Sequence, residues 1–496
     1  MIKADNIKKI EENYDTIQYK SKSFKKYQAQ YIKTMMKFFG FDTEEVNKSR
    51  ILEIGCSFGG NIIPAEIAYP DAEIVGIDLS KVQIDGGNEI INTIGLDNIK
   101  LYHKNILDYK GEYGKFDDII CHGVFSWVPD EVKEAILRVM KDGLKENGVG
   151  LILYNTYPGW KRLDIARDLM IFSVDNLVDR NLEVSEENKV EMSKDTLKFY
   201  LENSLIDNDT KNVLGIIMEK DPHYVYHEYF EKFNDPIYFY QFVKKIEKYD
   251  LTHVIDASFN NYYPTFSSDI KLAVENECGE NRIAKEQYYD FLRNTQFRTS
   301  LITHKENIDK MSFTSNISFD KLDDIYVRGY YEILEDKVIY NEKEMPKINR
   351  EFYQYLTDIY PKNVKIKDLV ERFGKEIYQS IFNLIYIDCI DFDTLKRGHD
   401  IFDRIGRINL EYIKYNLRKD SKIKFSNYKG EILSMPEYFY VLEDVLHLSI
   451  EDMEKEVILK LENGEIVSQS NKKFEEIAEN IGKYIFKMIN TYELFR

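Results

Sequence analysis

The chain has 496 residues, 43% hydrophobic and 31% charged, enough apolar sequence for about three cored domains and too much for a disordered tail. Its formal charge of −18 excludes a general nucleic-acid binder, which needs a basic surface. Four scattered cysteines (Cys56, Cys121, Cys278, Cys389) form no Cys-x-x-Cys pair, which excludes a zinc ribbon or disulfide framework and fits a reducing compartment. No apolar run reaches the ~18 residues needed to span a membrane. The opening residues Met1-Ile2-Lys3-Ala4-Asp5-Asn6 lead into charged sequence without the apolar core of a signal peptide. The expected location is the cytoplasm, with no membrane insertion.

Residues 1–50 are read as N-terminal cap helices. From 51 to 160, strand-like and helix-like stretches alternate. Ile51–Ile54, Glu73–Ile77, Ile99–His103, Asp118–His122 and Gly148–Tyr154 read as strands, with helices over Lys81–Ile94 and Pro129–Lys145. That alternation predicts βαβ units and a parallel sheet. Residues 161–235 read as a helical insertion. In 236–305 the pattern predicts a helix over Pro236–Tyr249, a strand over Thr252–Asp256, a helix over Glu286–Arg298 and a strand over Thr299–Thr303. The two late strands are expected to return to the first sheet. Residues 306–496 are read as a mainly helical C-terminal domain, with a winged-helix-like stretch in Ile366–Phe373, Lys375–Ile387 and Asp388–Phe392. This domain is net acidic, so partner or substrate binding is expected rather than DNA reading.

The chemistry concentrates after the first strand, in Glu53-Ile-Gly55-Cys56-Ser57-Phe-Gly59-Gly60-Asn61. Glycines there permit a tight turn and close approach of a ligand to the backbone. The next strand ends at Asp78, about 20 residues on, where an acid meets ribose hydroxyls in nucleotide-binding α/β sheets. The loop has neither the Gly-x-Gly-x-x-Gly dinucleotide pattern nor a Gly-Lys-Ser/Thr phosphate loop. A carboxylate at Glu53 suits a cationic ligand end instead. Cys56 is expected to pack as a small residue rather than act as a nucleophile. No tight His/Asp/Glu cluster suggests a metal.

These motifs resemble the class I S-adenosylmethionine-dependent methyltransferases over the first five strands. Glu53-x-Gly55-x-x-x-Gly59 is similar to that family's first motif, and Asp78-Leu79 to the acidic end of its second strand, with Leu79 against the adenine. Lys104-Asn105-Ile106 stands where the family faces the adenine amino group. His122-Gly123-Val-Phe-Ser-Trp127-Val-Pro129-Asp130 resembles the segment that lines the cofactor and its methyl group. A narrower resemblance covers residues 10–305. It rests on Tyr14-Asp15, Tyr19-x-Ser21, Tyr154-Asn-Thr-Tyr157-Pro158-Gly159-Trp160, His227-Glu228-Tyr-Phe230, Asn234-Asp-Pro236 and Glu286-Gln-Tyr-x-Asp290-Phe-Leu-Arg293. This set resembles bacterial methyltransferases with a methyltransferase regulatory domain, among them the rickettsial enzymes that modify lysines of outer-membrane proteins.

The resemblance implies an α/β fold: a Rossmann-like, seven-stranded methyltransferase sheet with a helical insertion. It implies S-adenosylmethionine as cofactor and S-adenosylhomocysteine as product. Cofactor contacts are expected from Glu53, Gly55, Cys56, Ser57, Gly59, Asn61, Asp78, Leu79, Asn105, Ile106, His122 and Gly123, with Tyr14 and Tyr19 as an N-terminal flap. Catalytic roles fall to His122, Trp127 and Tyr157. Acceptor walls are expected from Trp127, Tyr157, Trp160, Tyr224 and Tyr226. The implied reaction is methylation of lysine in a protein substrate such as an outer-membrane or surface protein. Methylation of a small molecule or lipid stays open, as does a cofactor-binding regulatory or assembly role without turnover. A structural reading stays open for His122 and for both tryptophans, which would then anchor the insertion. His227 and Glu228 are adjacent and face different sides of a helix, so no joint site is expected. The oligomeric state stays open, with a homodimer among the options.

Overall fold

A computed structural model describes residues 23–178, 186–220, 222–231, 233–260, 262–313, 319–340, 343–360 and 362–396. It also describes three strands beyond them, Ile423–Phe425, Val457–Glu462 and Glu465–Gln469, which pair antiparallel. Tyr14 and Tyr19 lie outside the described residues. The chain clusters into two compact units. The first holds Met1–Ile120, Gly143–Val149 and Glu306–Arg496; the second holds Cys121–Asp142 and Gly150–Lys305.

The first unit carries helix α1 (Ala29–Phe38), β1 (Arg50–Ile54), α2 (Ile63–Ala68), β2 (Glu73–Asp78), α3 (Lys81–Ile94), β3 (Ile99–His103) and β4 (Phe116–Cys121). β1 pairs parallel with both β2 and β4, and β2 with β3. β1, β2 and β4 are buried along nearly their whole length, as parallel strands covered on both faces must be, whereas the edge strand β3 is partly exposed. α3 forms where the sequence predicts it, for local reasons. Ser80 caps it by accepting from the Gln83 amide at 3.3 Å, and Gly95 ends it in the left-handed region at φ 70°. Between the caps, Ile84, Ile91 and Ile94 recur on one buried face. Beneath β4, Asp118 pairs with Lys33 of α1 at 2.8 Å, and both side chains are almost fully buried.

The C-terminal stretch of this unit adds a small antiparallel sheet in which Tyr326–Arg328 is flanked by Val364–Lys365 and Asp391–Asp393. Helices Ile366–Phe373 and Ile377–Tyr386 stand between its later strands. Phe392 packs on Tyr31 of α1 with ring centroids 4.7 Å apart, and Tyr69 donates to Asp393 at 2.7 Å.

The second unit holds α4 (Asp130–Gly143) and most of β5 (Leu144–Tyr157). The helical insertion follows as α5 (Trp160–Val178), α6 (Glu186–Asn203), α7 (Asn208–Met218) and α8 (Pro222–Tyr229). The unit closes with β6 (Ile237–Tyr238), α9 (Phe239–Glu247), β7 (Leu251–Asp256), α10 (Ser268–Cys278), α11 (Arg282–Arg293) and β8 (Phe297–His304). β8 pairs antiparallel with both β5 and β7, so the late strands do return to the sheet. The strand order is 3-2-1-4-5-8-7, with the two-residue β6 beside β5.

Two predicted boundaries move. The helix expected over Glu286–Arg298 ends at Arg293, because Asn294 adopts a left-handed conformation (φ 52°) and its amide closes on the Asp290 carbonyl. Phe297 and Arg298 therefore begin a strand. The helix expected from Pro236 begins at Phe239, because Ile237 and Tyr238 pair with Thr156 and Tyr157 of β5 first. Among the described residues, no helix is long and apolar enough to cross a membrane.

Candidate active site

The carboxyl end of β1 delivers Glu53 into a fully buried position. The chain then turns through Gly55 (φ 75°), Ser57 (φ 51°) and Gly59 (φ 82°). Three left-handed residues in five make a tight loop that glycine adopts freely and Ser57 adopts at a cost. Asp78, at the carboxyl end of β2, clamps that loop. One carboxylate oxygen accepts from the Ser57 amide at 2.8 Å and the other from the Ser80 amide at 2.8 Å. The Gly55 amide donates to the Ile77 carbonyl at 2.8 Å. Loop and acid are thus one hydrogen-bonded object. Each Asp78 oxygen keeps acceptor capacity for a ligand hydroxyl.

Asn61 donates to Glu53 at 3.1 Å and is itself held by Gln28, which donates to the Asn61 side-chain oxygen at 2.9 Å and to its carbonyl at 2.6 Å. The supporting Gln28 is not marked by any sequence motif. Burial pushes the Glu53 carboxyl up to about 8, outweighing the Asn61 hydrogen bond that lowers it. It also raises Asp78 and drives the Cys56 thiol well above its usual range. Cys56 is therefore a buried neutral thiol, as its packing role implies. Asn105 caps a short turn by accepting from the Leu107 amide at 3.0 Å, and Ile106 beside it is buried.

In the second unit, His122 and Gly123 follow β4, and Gly123 takes φ 68°. The ring nitrogens of His122 are buried, and desolvation lowers its pKa to about 4. The imidazole is neutral at physiological pH and a weak base. Trp127 packs edge-on against Trp160, with ring centroids 6.1 Å apart, and Trp160 reaches Tyr229 at 6.4 Å. Trp160 has no solvent exposure. It belongs to the insertion's core, against which Trp127, Tyr157, Tyr226 and Phe230 pack while only partly buried. Trp160 thus backs the others. Tyr224 does not join them: it is 39% exposed, with the Lys220 ammonium 5.6 Å over its ring. Tyr157 donates to Asp164 at 3.3 Å, and burial and Asp164 push its phenol up to about 12.

A set of long-range hydrogen bonds fixes this cluster at the carboxyl ends of β4 and β5. Ser126 accepts from the Asn155 amide at 2.8 Å, its carbonyl accepts from the Asp235 amide at 2.9 Å, and Asn155 donates to Asn234 at 2.9 Å. Ligands of α/β sheets bind at that edge.

Residues 51–148 match the family model described as a methyltransferase domain, and residues 221–304 match the predicted methyltransferase regulatory domain. Uncharacterized protein RP028 of Rickettsia prowazekii (strain Madrid E) is 36% identical over 255 residues, covering 50% of this chain and 97% of the relative. The chain belongs to the class I S-adenosylmethionine-dependent methyltransferases that carry a regulatory domain. A second relative, uncharacterized protein RP789 of the same organism, is 35% identical over 318 residues. That match covers 62% of this chain, which spans only 55% of RP789's length. Among solved structures, PKMT2 from Rickettsia typhi superposes with a TM-score of 0.65 at 26% identity, covering 76% of this chain and 77% of that one. The same protein in complex with AdoHcy gives 0.67 at 23% identity, covering 86% and 98%, a likeness of fold.

The residues present fit the family's cofactor. S-adenosylmethionine carries a cationic methionine end and a ribose but no phosphate. The first unit offers a buried carboxylate, a glycine turn and a clamped aspartate.

Proposed function

We propose that the chain transfers methyl groups from S-adenosylmethionine to lysine side chains of a protein substrate. In this reading the first-unit loop holds the cofactor: Glu53 and Asn61 toward its cationic methionine end, Gly55, Cys56, Ser57 and Gly59 along it, Asp78 on the ribose, and Leu79, Asn105 and Ile106 around the adenine. His122 and Gly123 belong to the same reading. Trp127, Tyr157 and Tyr226, backed by Trp160, take the acceptor.

The observation that carries the acceptor assignment is the partly exposed aromatic group at the carboxyl ends of β4 and β5. Aromatic faces suit both an alkyl stem and an ammonium. The group already receives one: the Lys161 ammonium lies 5.6 Å over the Tyr157 ring and 5.6 Å over the Tyr238 ring. Methyl transfer is an in-line displacement at a sulfonium, so the protein supplies positioning and electrostatics. A lysine must first lose a proton held with a pKa of about 10.4. Desolvation on aromatic faces disfavours the ammonium and assists that loss.

The test is a transfer assay with methyl-labelled S-adenosylmethionine in a lysate split into protein, lipid and small-molecule fractions. Label located on lysine by peptide mass spectrometry is the expected result. Label confined to lipids or small molecules overturns the acceptor assignment and leaves the family untouched.

A further inference from the structure

One partly buried carboxylate in the second unit, Glu228, keeps an oxygen with no partner among the described residues. Glu228 lies on α8 between Val225 and Tyr229, both turned into the insertion's core. Residues three and one positions away place Glu228 beside that same face. Its Oε1 is buried and accepts no hydrogen bond from the described residues. A native fold leaves few such atoms, because an unmade bond costs about 1–3 kcal/mol and more when the group is charged. Tyr229, the next residue on α8, touches Trp160, and Trp160 touches Trp127, so the helix that carries Glu228 packs on the aromatic group assigned to the acceptor. The bonds from Ser126 and Asn155 to residues 234–235 tether the end of this helical segment to the edge of the sheet.

We propose that Glu228 is the acceptor-ammonium site: its carboxylate receives the cationic head of the amine and takes its proton before methyl transfer. This rests on the amine-acceptor reading above. The proton passes from R–NH3+ to the carboxylate, giving R–NH2 and a carboxylic acid. The nitrogen lone pair then forms the N–C bond as the C–S bond breaks, and sulfur keeps the electron pair as a neutral thioether. Glu228 returns its proton to water.

The surroundings suit this task. Burial alone raises Glu228 to about 7, nearer to an amine than an ordinary carboxylate is. His122 is too weak a base to compete. The titratable and charged groups around α8 are Asp164 and Arg167 on α5, Tyr200 on α6, Lys220 just before α8, and Tyr224, Tyr226, His227 and Tyr229 on α8 itself, with Glu231 just beyond. Two of these are occupied elsewhere: His227 faces Glu231 at 3.3 Å, and Arg167 donates to the Glu231 carbonyl at 2.5 Å.

The chain's only two tryptophans are Trp127 and Trp160, so intrinsic fluorescence reads this place. The full chain saturated with S-adenosylhomocysteine is titrated from about pH 5 to about pH 9, with and without n-butylammonium as the probe. The emission is expected to titrate near neutrality, with a midpoint that falls when the probe is present. Glu228→Gln should abolish both effects, and His227→Gln should keep them. On labelled lysine, Glu228→Gln should lower the rate by about 10²-fold or more, with its acid limb lost. A wild-type emission indifferent to the probe, or a Glu228→Gln variant that responds as the wild type does, overturns the proposal. The wild-type titration decides the matter if the variant does not fold. A Glu228-dependent probe response without any label on lysine leaves this site standing and overturns the protein-lysine reading instead.

Discussion

Replacing Asp78 with alanine should cost the protein its cofactor. The carboxylate makes two charge-assisted bonds, to the Ser57 and Ser80 amides, each 2.8 Å long. A hydrogen bond to a charged group contributes about 1.5–3 kcal/mol. In the alanine variant both amides lose their acceptor, and Ser57 loses what holds it in the left-handed region. The ribose acceptor disappears at the same time. The expected loss in binding is about 2–5 kcal/mol, or about 30-fold to about 4,000-fold in Kd. Calorimetric titration with S-adenosylhomocysteine measures it. Asp78→Asn keeps one acceptor oxygen and should fall between the two. The wild-type affinity should weaken as pH falls through the Asp78 pKa, which burial raises, since the protonated group is a poorer acceptor. An Asp78→Ala variant that binds as tightly as the wild type would mean the ribose lies elsewhere.

Glu53 links cofactor binding to protons. Its folded pKa of about 8 lies above the ~4.3 of a free glutamate, so between those values the folded chain holds the extra proton. Stability should therefore decline as pH rises from about 4.3 to about 8, and Glu53→Gln should flatten that slope. A cationic ligand lowers the pKa again, so binding near neutrality should release a proton; a calorimetric enthalpy independent of buffer would contradict this. Arg298 is fully buried among Asp256 (2.9 Å), Glu286 (2.8 Å) and Asp290 (2.9 Å), with the Phe239 ring centroid 3.7 Å away. Arg298→Met removes the cation from Asp256 and Asp290 and leaves Glu286 only Arg282 (3.0 Å) and His253, and should destabilise by about 3–5 kcal/mol. Arg298→Lys should not rescue it, because an ammonium cannot fork to several partners. An unchanged melting temperature would refute the network's role. Lys33→Met leaves Asp118 buried without its cation, at a similar cost, and adding Asp118→Asn should recover part of the loss in a double-mutant cycle.

What the sequence made legible was local. β1, its glycine turn, β2 and Asp78 lie within 29 residues, and the bonds that join them connect neighbours in one βαβ unit. Apolar runs mark the central strands β2 and β4 because both of their faces are buried. What stayed hidden depends on distant partners. Nothing near Ser126 or Asn155 announces that they hold residues 234–235, roughly 80–110 positions later. The end of α11 was missed because apolar spacing continues past Asn294, and only the backbone of that residue stops the helix. Residue type alone groups Tyr224 with Tyr226, yet residues two apart on a helix point to opposite sides, and Tyr224 faces water. Trp160 reads as a ligand wall from its place after a strand, whereas its neighbours on four helices enclose it completely.

The same physical device stands at both ends of the proposed reaction. Glu53 and Glu228 are carboxylates whose pKa values burial lifts to about 8 and about 7. Each is largely or partly protonated at neutral pH until a cation arrives, and each cation favours the ionised form. An isolated buried anion would cost the fold several kcal/mol, so a proton is the cheaper resident when no ligand is bound. The arrival of the cofactor's ammonium would displace that proton from Glu53. The acceptor's ammonium would do so at Glu228 and then return a proton to the same oxygen pair. On this view cofactor affinity rises with pH up to about 8, and the rate of transfer rises with pH through about 7. The two dependences are separable, because Glu53→Gln should remove only the first and Glu228→Gln only the second.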